Sequence, residues 1–363
     1  MLFLSVTFLV SLIGTFAVIR SADRHAGLSA DHDLSGPQKF HTHPVPRIGG
    51  VAVFLSVFAG AFVATVDGHA EARTVWLLLA AALPTFVFGL AEDLTKCVSP
   101  RRRLFFTAVS ASLAIVLVDA VIHRTAIPGL DYLMSFVPFA MLLTVFAVTG
   151  VANAVNIIDG FNGLAGMCML MMLAAIAYVG FQVGDAFIVA AALIGIGAVL
   201  GFFIWNFPAG LIFLGDGGAY FLGFWLAELS VLLLHRNPQV SPMFPLLLCA
   251  YPIFETVFSI YRKRVLRGAS PGLPDGVHLH MLVYKRLMRW GAAPHDRRKM
   301  SRNSMTSPYL WLLCLLSVIP AVLWWKDTAI LAGFLVLFML SYVLLYWSIV
   351  RFRTPRWLVF RRR

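Results

Sequence analysis

The chain has 363 residues, of which 60% are hydrophobic and only 13% charged, and it carries a formal net charge of +12. A soluble globular domain is nearer half apolar and a quarter charged, so the composition excludes an ordinary soluble enzyme and assigns a membrane protein.

Apolar runs of about 20 residues, the length that crosses about 30 Å of hydrocarbon, recur along the whole chain. About eleven are legible, at roughly 2–19, 48–66, 74–91, 104–122, 132–152, 164–181, 186–206, 218–235, 243–261, 307–325 and 329–350. The sequence therefore predicts an all-α, polytopic bundle of about 11 transmembrane helices, with 1–363 forming a single transmembrane domain. The first run, Leu2 to Ile19, has Arg20 directly after it and no basic residue before it. A cleavable signal peptide carries its positive charge in front, so a retained helix with its N-terminus outside is expected.

Eleven spans starting outside place 20–47, 92–103, 153–163, 207–217, 262–306 and the tail 351–363 in the cytoplasm. These segments hold 25 of the 29 Lys and Arg residues; the other four are Arg73, Arg124, Arg236 and Lys326. Such an asymmetry is the positive-inside signal, and it supports both the span count and a cytoplasmic C-terminus. Basic loops facing anionic lipid account for the net charge, so no nucleic-acid partner is expected. Cys168, Cys249 and Cys314 fall within apolar runs, Cys97 in a loop, and no CxxC pair occurs; neither a disulfide framework nor a zinc site is indicated.

Nearly all the unusual residues lie in the inner segments. A transporter is expected to place polar groups near the bilayer midplane; groups at helix ends on one side suit an enzyme that joins a cytosolic substrate to a lipid-embedded one. The first inner segment reads Pro37-Gln38-Lys39-Phe40-His41, then Pro44 and Pro46-Arg47-Ile48-Gly49-Gly50. Its prolines hold the chain extended, and Lys39, His41 and Arg47 are available to anionic oxygens. A solvated basic loop meeting lipid head groups is an equally good reading of that segment alone. The second holds Glu92-Asp93, then Lys96 and Arg101-Arg102-Arg103. Paired acids with cations beyond suit Mg2+ and a diphosphate, although a plain helix cap is as good a reading in isolation.

The third segment, Asn153 to Gly163, contains no basic residue, and Asn153, Asn156 and Asp159 recur every three positions, on one helical face. An uncompensated acid at membrane depth is costly and marks function by default, which makes a purely structural turn the weaker reading. The fourth, Phe213-Leu214-Gly215-Asp216-Gly217-Gly218, sets a lone acid among glycines. Backbone amides there can approach a phosphate, and Asp216 suits a metal; the alternative is a simple Asp-Gly turn. The fifth carries His278-Leu279-His280. Two histidines at i and i+2 face one way on an extended chain and suit a pyrophosphate. Zinc is disfavoured because no third nearby ligand completes a site, and a surface pair without a role remains the bland alternative. Glu228 lies mid-span and reads as an internal pairing group, and Glu255 lies nearer the inner end of its span.

Together these segments resemble the polyprenyl-phosphate N-acetylhexosamine-1-phosphate transferase family, which includes bacterial enzymes that begin O-antigen, teichoic-acid and peptidoglycan lipid intermediates. The likeness runs from Pro37 to about Leu287. It rests on Lys39-Phe40-His41 through Gly50, on Asn153-Ala154-Val155-Asn156-Ile157-Ile158-Asp159-Gly160 and on Phe213-Leu214-Gly215-Asp216, in the family's order. The resemblance implies a Mg2+-dependent reaction, with Mn2+ as the alternative ion, in the bacterial inner membrane with the active site on the cytoplasmic face. The phosphate of a polyprenyl (undecaprenyl) phosphate attacks the β-phosphate of a UDP-N-acetylhexosamine, giving a lipid-diphosphate sugar and UMP. It further implies Asp216 and Asp93 as metal ligands and Asp93, Asp159 and Glu92 as catalytic. Lys39, His41, Arg47, Asn153, Asn156, Asn162, His278 and His280 are the expected substrate-binding residues, and a homodimer is compatible.

Two departures stand out. The family's paired aspartates appear here as Glu92-Asp93, which lengthens the first acid by a methylene. The histidine motif lacks the triple run of the peptidoglycan-precursor branch, so a UDP-GlcNAc donor fits better than a muramyl-pentapeptide one. The competing readings are the same reaction with another UDP-aminosugar, and a polytopic transporter or inactive scaffold on the same fold.

Overall fold

The computed structural model describes residues 2–22, 45–266, 268, 276–290, 295–353 and 360–362. Lys39 and His41 therefore lie outside the described residues. Among those described, nine helices are long and apolar enough to cross a membrane. They are α1 (Leu2–Arg20), α2 (Gly49–Val66), α3 (Ala72–Thr95), α6 (Val137–Ile158), α7 (Leu164–Gln182), α8 (Ala186–Asn206), α9 (Gly215–Arg236), α13 (His295–Leu323) and α14 (Thr328–Val350).

Two of the eleven expected spans take a different form. The run expected at 104–122 is helix α4 (Pro100–Val118), which starts with three arginines instead of apolar residues. Ser99 caps it, accepting from the Arg102 amide with Pro100 at the first position, the arrangement that satisfies a helix start. The run at 243–261 is broken at Cys249 into α10 (Met243–Leu248) and α11 (Ala250–Tyr261). Two short helices, α5 (Pro128–Met134) and α12 (Leu279–Leu282), and two π-helical turns, Arg262–Leu266 and Val283–Leu287, complete the helical set among the described residues. The all-helical expectation holds except for a three-residue parallel pairing of β1 (Met288–Trp290) with β2 (Phe360–Arg362).

Helix α9 is the axis of the bundle, with every residue from Gly215 to Leu234 buried. It is packed chiefly by α3 and α6, then by α2. Lipid tails are as apolar as the side chains they solvate, so helices in a membrane associate through close contact at small residues. Here the contact is glycine on glycine. A Cβ on Gly89 of α3 would lie 2.6 Å from the Gly217 Cα, and one on Gly50 of α2 would collide with the backbone of Gly218. The first turn of α9 is thereby pressed against the beginning of α2 and the end of α3. At the far end, Arg236 pairs with Glu71 at the start of α3 and with Asp185, the N-cap of α8. The Arg124 guanidinium donates to the carbonyls of Leu234, Asn237 and Val240, closing the orphan acceptors that every helix end leaves.

Candidate active site

The segment before α2 and the start of α9 are joined strand-like. Phe213 N–H donates to the Pro46 carbonyl, Gly49 N–H to that of Phe213, and Gly50 N–H to that of Leu214. This pairing places Arg47 over the first turn of α9. Gly215 takes a left-handed φ of +75°, and a Cβ there would strike the Arg47 carbonyl and sit 2.6 Å from Asp93 Oδ2. Only glycine meets both demands.

Asp93 sits in the last turns of α3 and is 1% exposed. Its Oδ1 accepts the Asp216 N–H and its Oδ2 the Gly217 N–H, each at 2.8 Å. The carboxylate thus caps α9 from another helix, at the end where the backbone dipoles favour negative charge.

Asp216, in that capped first turn, accepts from Asn156 Nδ2 at 2.9 Å through Oδ1 and forms a close ion pair with Arg103 through Oδ2. Arg47 Nη2 is 3.8 Å from both Asp93 Oδ1 and Asp216 Oδ1. Arg103 also lies over the Tyr220 ring, whose hydroxyl donates to Asn153 Oδ1 at 3.0 Å. Among the described residues, the buried Arg103 Nε finds no acceptor.

Asp159 follows the last residue of α6 and is half-buried. Burial pushes its carboxyl up to about 7, against the opposing pull of the Arg47 guanidinium. Asp93, Asp159, Asp216, Asn156, Arg47 and Arg103 therefore form one cluster at the ends of α2, α3, α4, α6 and α9.

Three further expected site residues have partners of their own. Glu92 directs Oε2 at the Val98 N–H, 2.7 Å away, and braces the turn between α3 and α4. Asn162 is 4% exposed and faces α13 and the loop after α8. Its side-chain amide donates to Ser304 Oγ and the Pro208 carbonyl, and its backbone N–H donates to Asn303 Oδ1. Asn153 is held by Tyr220. The sequence offers Arg103 only as one of three consecutive arginines and carries no signal for Tyr220. The structure separates them: Arg101 and Arg102 are exposed where Arg103 is half-buried.

His278 and His280 are buried, with rings stacked 5.2 Å apart and 5° from parallel. The expectation that no third ligand-type group lies near them is overturned by Glu255, whose Oε1 is 3.0 Å from His278 Nδ1 and 3.9 Å from His280 Nδ1. One ligand atom from each of the three lies within 4.8 Å of the others, a grouping able to hold a metal ion. The Glu255 carboxylate also accepts the Leu279 N–H and the Tyr342 hydroxyl. His280 Nε2 lies beside Gly160, 3.4 Å from where a Cβ would stand, so the histidine segment abuts the turn that carries Asp159.

Residues 75–234, which hold most of this cluster, match the profile of glycosyl transferase family 4. Over its full length the chain is 31% identical to an undecaprenyl-phosphate alpha-N-acetylglucosaminyl 1-phosphate transferase of Pasteurella multocida, covering 97% of that protein. The chain belongs to glycosyl transferase family 4. Within the family it is also 28% identical to a probable undecaprenyl-phosphate N-acetylglucosaminyl 1-phosphate transferase of Bacillus subtilis, over 79% of this chain and 77% of that one. A phospho-N-acetylmuramoyl-pentapeptide-transferase of Lactobacillus gasseri is 30% identical, but over only 53% of this chain and 62% of its own. The cluster of this family 4 chain joins oxygen ligands to guanidinium groups. That combination can neutralise a diphosphate and hold a hard cation, and it offers no side-chain nucleophile stronger than a carboxylate.

Proposed function

We propose that the chain transfers GlcNAc-1-phosphate from UDP-GlcNAc to undecaprenyl phosphate, releasing UMP and starting a lipid-linked cell-surface glycan. The observation that carries this reading is the cluster of three aspartates and two arginines at the end of a buried helix. The two relatives described above that are GlcNAc-1-phosphate transferases by name, one matched over the full chain and one over 79% of it, support the donor.

In the reaction a lipid phosphate oxygen forms a bond to the β-phosphorus while the bond from that phosphorus to the bridging oxygen breaks, and UMP leaves with that oxygen. Phosphoryl transfer of this kind needs positioning and charge neutralisation more than covalent chemistry. A phosphate monoester with a second pKa of about 6 is already largely dianionic at neutral pH, so no strong base is required. Arg47 and Arg103 are the anion clamps, and the unfilled Nε–H of Arg103 is a donor left for a phosphate oxygen. His278 and His280 face the diphosphate from the Gly160 side.

The donor set Asp216, Asp159 and Asn156 is all oxygen, which suits Mg2+. Asp216 would hold the ion once Arg103 turns to the phosphate, while Asp93, whose two oxygens cap α9, keeps Asp216 in place and offers only its remaining lone pairs. When bound, the ion supplies charge neutralisation on the diphosphate. Asp159, with its carboxyl poised near neutrality, organises the attacking phosphate. Glu92 shapes the turn that delivers Arg103, and Asn162 braces the Asp159 turn against α13. The charge asymmetry supports eleven crossings, with the N-terminus outside, the C-terminus and this site in the cytoplasm, and residence in the bacterial inner membrane.

The test is UMP release by purified protein with Mg2+, undecaprenyl phosphate and a panel of UDP-sugars. UDP-GlcNAc is expected to be turned over fastest. Turnover confined to another UDP-aminosugar corrects the donor, and no UMP from any donor contradicts the reading.

A further inference from the structure

Glu255 lies on α11, the helix created by the break at Cys249, and is 1% exposed. A carboxylate withdrawn from water at this depth is costly unless its oxygens are filled, and here they are. Oε1 receives the Leu279 N–H at 2.9 Å and faces His278 Nδ1 at 3.0 Å; Oε2 receives the Tyr342 hydroxyl at 2.7 Å. The partners come from two other parts of the chain, so the carboxylate ties α11, the histidine segment and α14 together.

The arrangement is directional. Both imidazoles turn their Nδ1 edges toward the same oxygen, at 3.0 and 3.9 Å, and the rings are stacked nearly parallel. Their Nε2 edges consequently point away from Glu255. For His280 that edge rests beside Gly160, next to Asp159, with the Phe161 ring edge-on at 5.6 Å. An ionised carboxylate has no hydrogen to give, so the bond at 3.0 Å requires a proton on His278 Nδ1. A partner of this kind fixes both ring orientation and protonation, and removing it characteristically costs activity without removing the ring.

We propose that Glu255 is a positioning residue that holds His278 and His280 with their Nε2 edges toward the donor diphosphate. The role rests on the phosphotransferase reading of the site. It assigns work to a residue 23 positions from His278 in sequence, on a helix that carries no other part of the cluster.

Glu255→Gln keeps the shape but presents an NH2 group where a carboxylate oxygen stood. In full-length protein reconstituted with undecaprenyl phosphate and Mg2+, E255Q is expected to lower kcat for UMP release from UDP-GlcNAc by on the order of tenfold. Its melting temperature should stay close to that of the wild type. The effect should combine with that of His278→Gln less than multiplicatively, since both act through one bond; a merely structural role would give independent effects and a lowered melting temperature. Glu255→Asp, which restores charge, should recover part of the rate. Wild-type turnover in a folded E255Q, or fully multiplicative effects, overturns the role. Should E255Q not fold, Tyr342→Phe is read instead. It removes the donor to Oε2, and turnover several-fold below wild type is expected, while an unchanged rate overturns the proposal. Wild-type protein that releases no UMP overturns the proposed function and this role with it; an active wild type with an equally active E255Q overturns the role alone.

Discussion

Asp216 is the residue on which the cluster converges, meeting Arg47, Arg103 and Asn156 while Asp93 holds its backbone amide. Asp216→Asn keeps the size and the Asn156 neighbour but halves the hydrogen-bond acceptor capacity and removes the charge. UMP release should fall by on the order of a hundredfold with the fold retained, as a melting curve would show; a near-wild-type rate would remove Asp216 from the site. Asp159 makes a different statement, because its carboxyl is raised to about 7 by burial. A group raised above its unfolded value stabilises the fold below the ordinary carboxylate range, and that contribution is lost as pH rises through about 7. In metal-free protein, the melting temperature of the wild type relative to Asp159→Asn should therefore decline between pH 5 and pH 8. A difference that stays flat would contradict the buried environment.

At the scale of the elements, the glycine contacts decide the geometry. A methyl on Gly89 has no room against the Gly217 backbone, and overpacking of this kind costs about 1–3 kcal/mol. Gly89→Ala should lower the melting temperature and, by moving α3 off α9, weaken the grip of Asp93 on the Asp216 and Gly217 amides. Turnover should drop even where the protein remains folded, which parallel melting and UMP assays would separate. Most of these helices were legible in sequence because a membrane demands long apolar runs. The two that differ failed that rule for physical reasons: α4 opens with Arg101-Arg102-Arg103, and the run from 243 to 261 is interrupted at Cys249. Asp159 and Asp216 were legible because each is a lone acid in a turn without cations. Glu255 was not, since a single acid in an apolar helix looks alike whether it pairs within the bundle or orients a distant histidine. The surroundings of Asn162 were hidden for the converse reason: its neighbours in sequence are candidate site residues, and its partners in space include Asn303 and Ser304 on α13.

For the whole molecule, the site sits at one end of the bundle and the Arg236–Glu71–Asp185 ion pairs at the other. With 25 of 29 basic residues assigned to one side, that end is expected in the cytoplasm. A periplasm-dependent reporter fused after Arg363 should be silent, and one inserted between α8 and α7 near Gly184 should be active; the reverse pattern would invert the orientation. In the proposed reaction phosphate travels with the sugar, which is tested most directly by following the β-phosphate of the donor. With UDP-GlcNAc carrying 32P in the β position, undecaprenyl phosphate and Mg2+, the label should pass into the lipid fraction as a diphosphate-linked sugar while unlabelled UMP appears in the water phase. Label retained in water-soluble UDP, with sugar alone reaching the lipid, would contradict it.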